Sequence, residues 1–109
     1  MPSLARRARE YLHDHMVDDP GLDDLAAVMG TDRFRLSRAF KAAFGMAPHA
    51  YLVQLRLTHA RRLLATGLSP ADAAASVGFA DQSHLGRWFR RAYALTPAQY
   101  RRLCSKLPD

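Results

Sequence analysis

Leu36-Ser37-Arg38-Ala39-Phe40-Lys41-Ala42-Ala43-Phe44 returns forty-nine residues later as Leu85-Gly86-Arg87-Trp88-Phe89-Arg90-Arg91-Ala92-Tyr93. At that single offset Leu36 falls on Leu85, Arg38 on Arg87, Phe40 on Phe89, Lys41 on Arg90, Ala43 on Ala92 and Phe44 on Tyr93; Pro48 on Pro97 and Tyr51 on Tyr100 extend the match. Upstream the offset becomes 48, pairing Ala26 with Ala74, Met29 with Val77 and Gly30 with Gly78, so the second copy carries one extra residue just after its glycine. Each copy reads as a short helix, a turn opened by glycine, and a longer helix that ends near a proline stop.

The flanking signals complete an all-α reading of seven helices and no strand. Leu4, Ala8, Tyr11, Leu12, His15 and Met16 follow a helical period that Pro20-Gly21 closes. Leu22, Leu25, Ala26 and Met29 face inward on a second helix, with Asp23 and Asp24 in its first turn, where the helix dipole favours acids. Asp32 and Asp81 stand as N-caps of the two longer helices, at about 32–44 and 81–93. Ser69-Pro70 and Thr96-Pro97 open two more, Thr96 with Gln99 as a capping box and Ser69 with Asp72 as an approximate one. Residues 48–65 form a long linking helix, with Pro48 at its start and Gly67 just past its end. The organisation expected is a unit over 1–46, a linking helix over 47–66 and a second unit over 67–109.

On helical wheels Leu36, Ala39, Phe40, Ala43 and Phe44 cluster inward, as do Leu85, Trp88, Phe89, Ala92 and Tyr93. The opposite faces carry Phe34, Arg38 and Lys41 in the first copy and Ser83, Arg87 and Arg90 in the second. Arg35, Ser37 and Ala42 flank one face; Gln82, His84, Gly86 and Arg91 flank the other. An outward Arg can reach guanine O6 and N7, Gln can pair with adenine, Ser suits several bases, and an exposed Phe can meet a thymine methyl. Arg56 lies within the apolar arc of the linking helix, among Leu52, Val53, Leu55, Ala60 and Leu63. It is therefore expected to be paired and structural, with Asp72 one possible partner among several acids.

Charge supports the same direction. The 109 residues hold 16 Lys and Arg against 10 Asp and Glu, a net charge of +6. Seven of the acids lie within residues 10–32, whereas no acid separates Asp32 from Asp72, a stretch with Arg33, Arg35, Arg38, Lys41, Arg56, Arg61 and Arg62. A second unopposed stretch holds Arg87, Arg90, Arg91, Arg101, Arg102 and Lys106. Fourteen of the sixteen bases are Arg, whose planar fork suits phosphate and guanine.

Composition removes other classes. One cysteine, Cys104, excludes an internal disulfide or a thiolate zinc cluster. No apolar run approaches the ~18 residues of a membrane span, and Met1-Pro2-Ser3-Leu4-Ala5-Arg6-Arg7 lacks the core of a secretory signal, so the expected location is the cytoplasm, with no membrane partner. His13 and His15 point to different faces of a helix and make a poor metal pair. Neither a phosphate loop nor a catalytic carboxylate pair is evident, Cys104 has no adjacent base, and no catalytic residue, metal or cofactor is expected. The competing reading is an Arg-rich helical interaction module that binds an acidic protein.

The chain resembles the DNA-binding domain of the AraC/XylS family of bacterial transcription regulators. The likeness is strongest over residues 50–64, Ala50 to Leu64, and over 77–91, Val77 to Arg91, and Thr96-Pro97-Ala98-Gln99-Tyr100-Arg101 adds the family's C-terminal signature. It covers residues 4–102. The resemblance implies two helix-turn-helix units joined by a rigid helix of ~26 Å at 1.5 Å per residue, reading successive major grooves ~34 Å apart on double-stranded DNA. By matching position it implies that Phe34, Ser37, Arg38, Gln82, Ser83, Gly86 and Arg87 face bases. Arg33, Lys41, His84, Arg90 and Arg91 are expected at phosphates or in support of them. RNA polymerase is a further implied partner, and an N-terminal effector-binding or dimerisation domain, common in the family, is absent from these residues. The chain is then either a small standalone regulator or the C-terminal part of a longer one, working on the nucleoid. Three departures stand out: Gly86 where the family often has Ser or Thr, Ala94 for the usual Gly before Thr-Pro, and Ala73 for a bulkier apolar residue.

Overall fold

A computed structural model describes residues 3–105; of the residues used above, Met1, Pro2, Lys106 and Asp109 lie outside them. Among the described residues there are seven α-helices and no strand: α1 (Leu4–Asp14), α2 (Leu22–Val28), α3 (Arg33–Phe44), α4 (Pro48–Ala65), α5 (Pro70–Val77), α6 (Gln82–Tyr93) and α7 (Pro97–Ser105). The chain divides into two compact units, Met1–Leu55 and Arg56–Asp109. Residues 48–55 of α4 fall in the first unit and residues 56–65 in the second.

The caps form where the sequence places them. Asp32 Oδ1 accepts the Arg35 backbone N–H at 2.9 Å and Asp81 Oδ1 that of His84 at 2.8 Å. Ser69 Oγ accepts from the Asp72 N–H at 3.1 Å. Thr96 and Gln99 close a reciprocal box, with Gln99 Oε1 accepting the Thr96 N–H at 2.9 Å and Thr96 Oγ1 the Gln99 N–H at 3.1 Å. These bonds satisfy donors that the first turns of α3, α5, α6 and α7 leave without an intrahelical partner.

In the first unit Ala8, Leu12, Leu25, Ala26, Leu36, Phe40 and Leu52 make one buried cluster. Phe40 meets Phe44 and Tyr51 edge-on, at 4.8 and 5.5 Å between ring centroids. The second unit repeats the device with Phe89 against Tyr93 at 4.7 Å and Tyr100 at 5.7 Å. Phe40 and Phe89 are fully buried, and truncating either to Ala costs about 3–5 kcal/mol. Arg56 is 2% exposed, with its guanidinium 5.7 Å from the Phe79 ring centroid, and no buried side-chain nitrogen or oxygen among the described residues lacks a hydrogen-bond partner. Its expected structural place is thus occupied. The residue that lengthens the second turn has a use as well, because it lets Phe79 turn inward, 4% exposed, after Gly78 at φ 96°.

Three expectations are corrected. Helix α1 ends at Asp14 rather than at Pro20-Gly21; a 3-10 turn over Met16–Asp18 follows, and Asp19 takes a left-handed conformation at φ 52°. Met16 packs on the core through that tighter turn, while Asp19, just before Pro20, is sterically kept out of a right-handed helix. Ala43 and Ala92 are exposed rather than inward, because Phe44 and Tyr93 fold back over Phe40 and Phe89 and do the covering in the last turns. Trp88 is only half-buried, at the margin of the core face.

Candidate nucleic-acid interface

Helix α3 presents Arg33, Phe34, Arg35, Arg38 and Lys41 to solvent. Phe34 is 69% exposed, the most exposed large apolar side chain among the described residues. Ser37 is half-buried at the wall of a pocket of about 370 Å³, beside Leu22, Pro48 and His49. Arg33 is bound to Asp23: its Nε donates to Oδ1 at 2.7 Å and a terminal nitrogen donates to Oδ2. This fork holds the Asp23 carboxyl below the usual carboxylate range and raises the Arg33 guanidinium further. Asp32 is likewise held low, first by the Arg35 backbone N–H it caps.

Helix α6 presents Gln82, Ser83, Arg87, Arg90 and Arg91, with Gly86 half-exposed among them. A Cβ built on Gly86 meets nothing within 4 Å, so nothing in the protein itself requires glycine there. His84 is half-buried: the Trp88 indole N–H donates to its Nε2 at 3.2 Å, and its ring stands edge-on to Phe79 at 5.1 Å between centroids. The Arg91 guanidinium lies over the Trp88 ring, 5.5 Å from the centroid.

Each unit thus gathers its expected residues on one helix. The first brings together Phe34, Arg38 and Lys41, sets Ser37 at the margin and ties Arg33 sideways to α2. The second brings together Gln82, Ser83, Gly86, Arg87 and Arg90, with His84 and Arg91 joined through Trp88 along one edge. Trp88 joins this edge through both contacts, a place the sequence reading did not give it. Its signal was the spacing of His84, Trp88 and Arg91, at i, i+4 and i+7 on a single helical row.

Among the described residues no group of three or more His, Cys, Asp and Glu could hold a metal ion, and no helix is long and apolar enough to cross a membrane. Cys104 is half-buried beside the Tyr100 phenol, which burial first and then the thiol push above its ordinary value.

Two helices of equal length, each capped by Asp at the equivalent point of a repeat and each following a short helix and a glycine turn, make a pair of helix-turn-helix units. The helix-turn-helix domain family matches residues 25–103. A transcriptional regulator from Chromobacterium violaceum, described as AraC-type, superposes with a TM-score of 0.83 at 27% identity, over 96% of this chain and 95% of that one. This chain belongs to the AraC-type helix-turn-helix family. The AraC-type domain of this chain is also similar to the DNA-binding domain of AdpA, a global transcriptional factor solved in complex with a target DNA, with a TM-score of 0.87 at 28% identity over 94% and 93% of the two chains. The HTH-type transcriptional regulator MtrA of Neisseria gonorrhoeae is 37% identical over 90 residues, 82% of this chain and 30% of that protein. The AraC-type domain spans about three tenths of the length of the curated relatives it matches. MtrA is named a transcriptional regulator, and NphR of Rhodococcus a transcriptional activator.

Proposed function

We propose that this AraC-type domain regulates transcription by binding double-stranded DNA sequence-specifically, with α3 and α6 each entering a major groove of its own. Phe34, Ser37 and Arg38 read bases from α3; Gln82, Ser83 and Arg87 do so from α6, with Gly86 at a base-facing place that lacks a reading side chain. Arg33, Lys41, His84, Arg90 and Arg91 bind or support phosphates. The observation that carries this reading is the exposure of Arg38 and Arg87 at equivalent points of the repeat, each one turn into a capped helix whose opposite face is buried. Bidentate hydrogen bonds from such arginines to guanine fix sequence, whereas phosphate contacts fix register. The domain works on the nucleoid in the cytoplasm, and its further partners are RNA polymerase and an N-terminal effector-binding or dimerisation domain like those of longer regulators.

Salt titration tests the claim. Three cationic phosphate contacts, Lys41, Arg90 and Arg91, at about −0.9 each in log K against log salt, with Arg33 held by Asp23, give a loss of about fortyfold between 50 and 200 mM. The expected result is that loss, together with a clear preference for a duplex selected from random sequences over an unselected one. Binding to heparin as tight as to any duplex, without sequence preference, favours the acidic-protein partner instead and overturns the proposal.

A further inference from the structure

We infer that Trp88 frames a phosphodiester-binding site on the edge of α6, an arrangement that rests on the DNA reading above and deepens it. His84, Arg87, Trp88 and Arg91 line a recess of about 350 Å³ at this edge. The Trp88 indole has one N–H, and it donates to His84 Nε2 at 3.2 Å. A ring nitrogen that accepts carries no proton, so neutral His84 holds its proton on Nδ1. Phe79 buttresses the imidazole from the core side, and the Asp81 carboxylate holds the His84 backbone N–H at 2.8 Å. The imidazole is therefore held by two contacts, the Trp88 N–H and the Phe79 ring, while Asp81 fixes the backbone that carries it.

Arg91 is positioned by the other face of the same frame. Its guanidinium lies 5.5 Å from the Trp88 centroid, within cation–π range, a contact that does not consume its N–H donors. One indole thus joins an imidazole and a cationic fork at one recess, the two residues about two turns apart along the helix. A phosphate oxygen pair accepts from both without contacting a base. Trp88 is a positioning residue in this site, acting through His84 and Arg91. The first unit has no counterpart: forty-nine residues earlier stand Arg35, Ala39 and Ala42. The anchor is built into the second reader alone.

The test combines nitrogen-15 NMR of the histidines in the free protein with titrations of a selected and a random duplex, for the parent, Trp88→Phe and Trp88→Leu. The expected tautomer of His84 is Nδ1–H in the parent. Trp88→Phe keeps a ring beneath Arg91 but loses the N–H, and binds both duplexes severalfold more weakly with an unchanged salt slope. Trp88→Leu loses the ring as well; its affinity falls further on both duplexes alike, and its salt slope becomes shallower by about 1 as the Arg91 contact is lost. An Nε2–H tautomer in the parent overturns the inference, as does Trp88→Leu binding with parental affinity, or a loss confined to the selected duplex. The tautomer is read without DNA and stands even where Trp88→Leu fails to fold. A parent that binds no duplex sinks the proposed function itself.

Discussion

Gly45 and Ala94 occupy the same point of the repeat, each directly after its long helix and each in the left-handed conformation, at φ 77° and 62°. Each donates its N–H back to the helix, to Lys41 O and Arg90 O, both at 2.8 Å. Only the first copy has the residue type that adopts this conformation freely. Left-handed backbone costs a residue with a Cβ about 1–2 kcal/mol, and glycine gives back about 0.4–1 kcal/mol through its freer unfolded chain. Ala94→Gly is therefore expected to stabilise by about 0.5–1 kcal/mol, read as a rise in the denaturant midpoint at constant slope. Gly45→Ala meets no steric obstacle within 4 Å and should lose a similar amount.

Arg56 stabilises the second unit from within. Removing one partner of a buried charged contact leaves the others unsatisfied and costs about 3 kcal/mol or more. Arg56→Ala should lower Tm by well over 10 °C in a domain of this size, at about 4–8 °C per kcal/mol. DNA affinity measured below the new transition should stay within twofold of the parent. A variant that melts like the parent but binds weakly would make Arg56 a DNA contact.

The fork between Arg33 and Asp23 competes with a phosphate. Asp23→Asn removes a negative charge beside α3 and frees the guanidinium, so affinity for any duplex should rise modestly and the salt slope steepen by up to about 1. The same carboxylate, with Asp32, ties stability to pH. Both are held below their ordinary value of 3.8 in the fold, so the stability they add is fully present above that pH and lost as pH falls through their lower folded values. Melting between pH 6 and pH 2 should show the decline confined to the acid end. Asp32→Asn keeps a capping side chain and should make the decline shallower, leaving the share that Asp23 contributes.

Much of this architecture was legible because it is local. A cap lies three residues from the N–H it serves, and a helical face repeats every three or four, so Asp32, Asp81, Ser69, Thr96 and Gln99 could each be placed from neighbours in the chain. What escaped depends on which groups meet in space. The bond from Arg33 to Asp23 crosses a turn, and periodicity says nothing of it. The early end of α1 follows from where Met16 must pack. The helical wheel turns Trp88 inward with Leu85 and Phe89, whereas its N–H and its ring face both serve the helix edge. The residues expected to face bases were placed by likeness, and the structure adds their exposure, Ser37 and Gly86 excepted as half-buried.

Gly86 exerts its effect on stability alone in the free protein. A glycine in mid-helix costs about 1 kcal/mol relative to Ala, and the space beside it is open. Gly86→Ala should therefore stabilise by about that amount. A flat or lower Tm would show a strain at this position that the open space does not account for.

The central claim is that two equivalent arginines read sequence from two helices. The direct measurement is titration of Arg38→Ala, Arg87→Ala and Arg91→Ala against a duplex selected from random sequences and against a random duplex, at one fixed salt concentration. Arg38→Ala and Arg87→Ala should each lose about 1–3 kcal/mol on the selected duplex, far less on the random one, and each relax a different position when selection is repeated. Arg91→Ala should weaken both duplexes alike. Equal losses on selected and random DNA for all three variants would contradict base readout by α3 and α6.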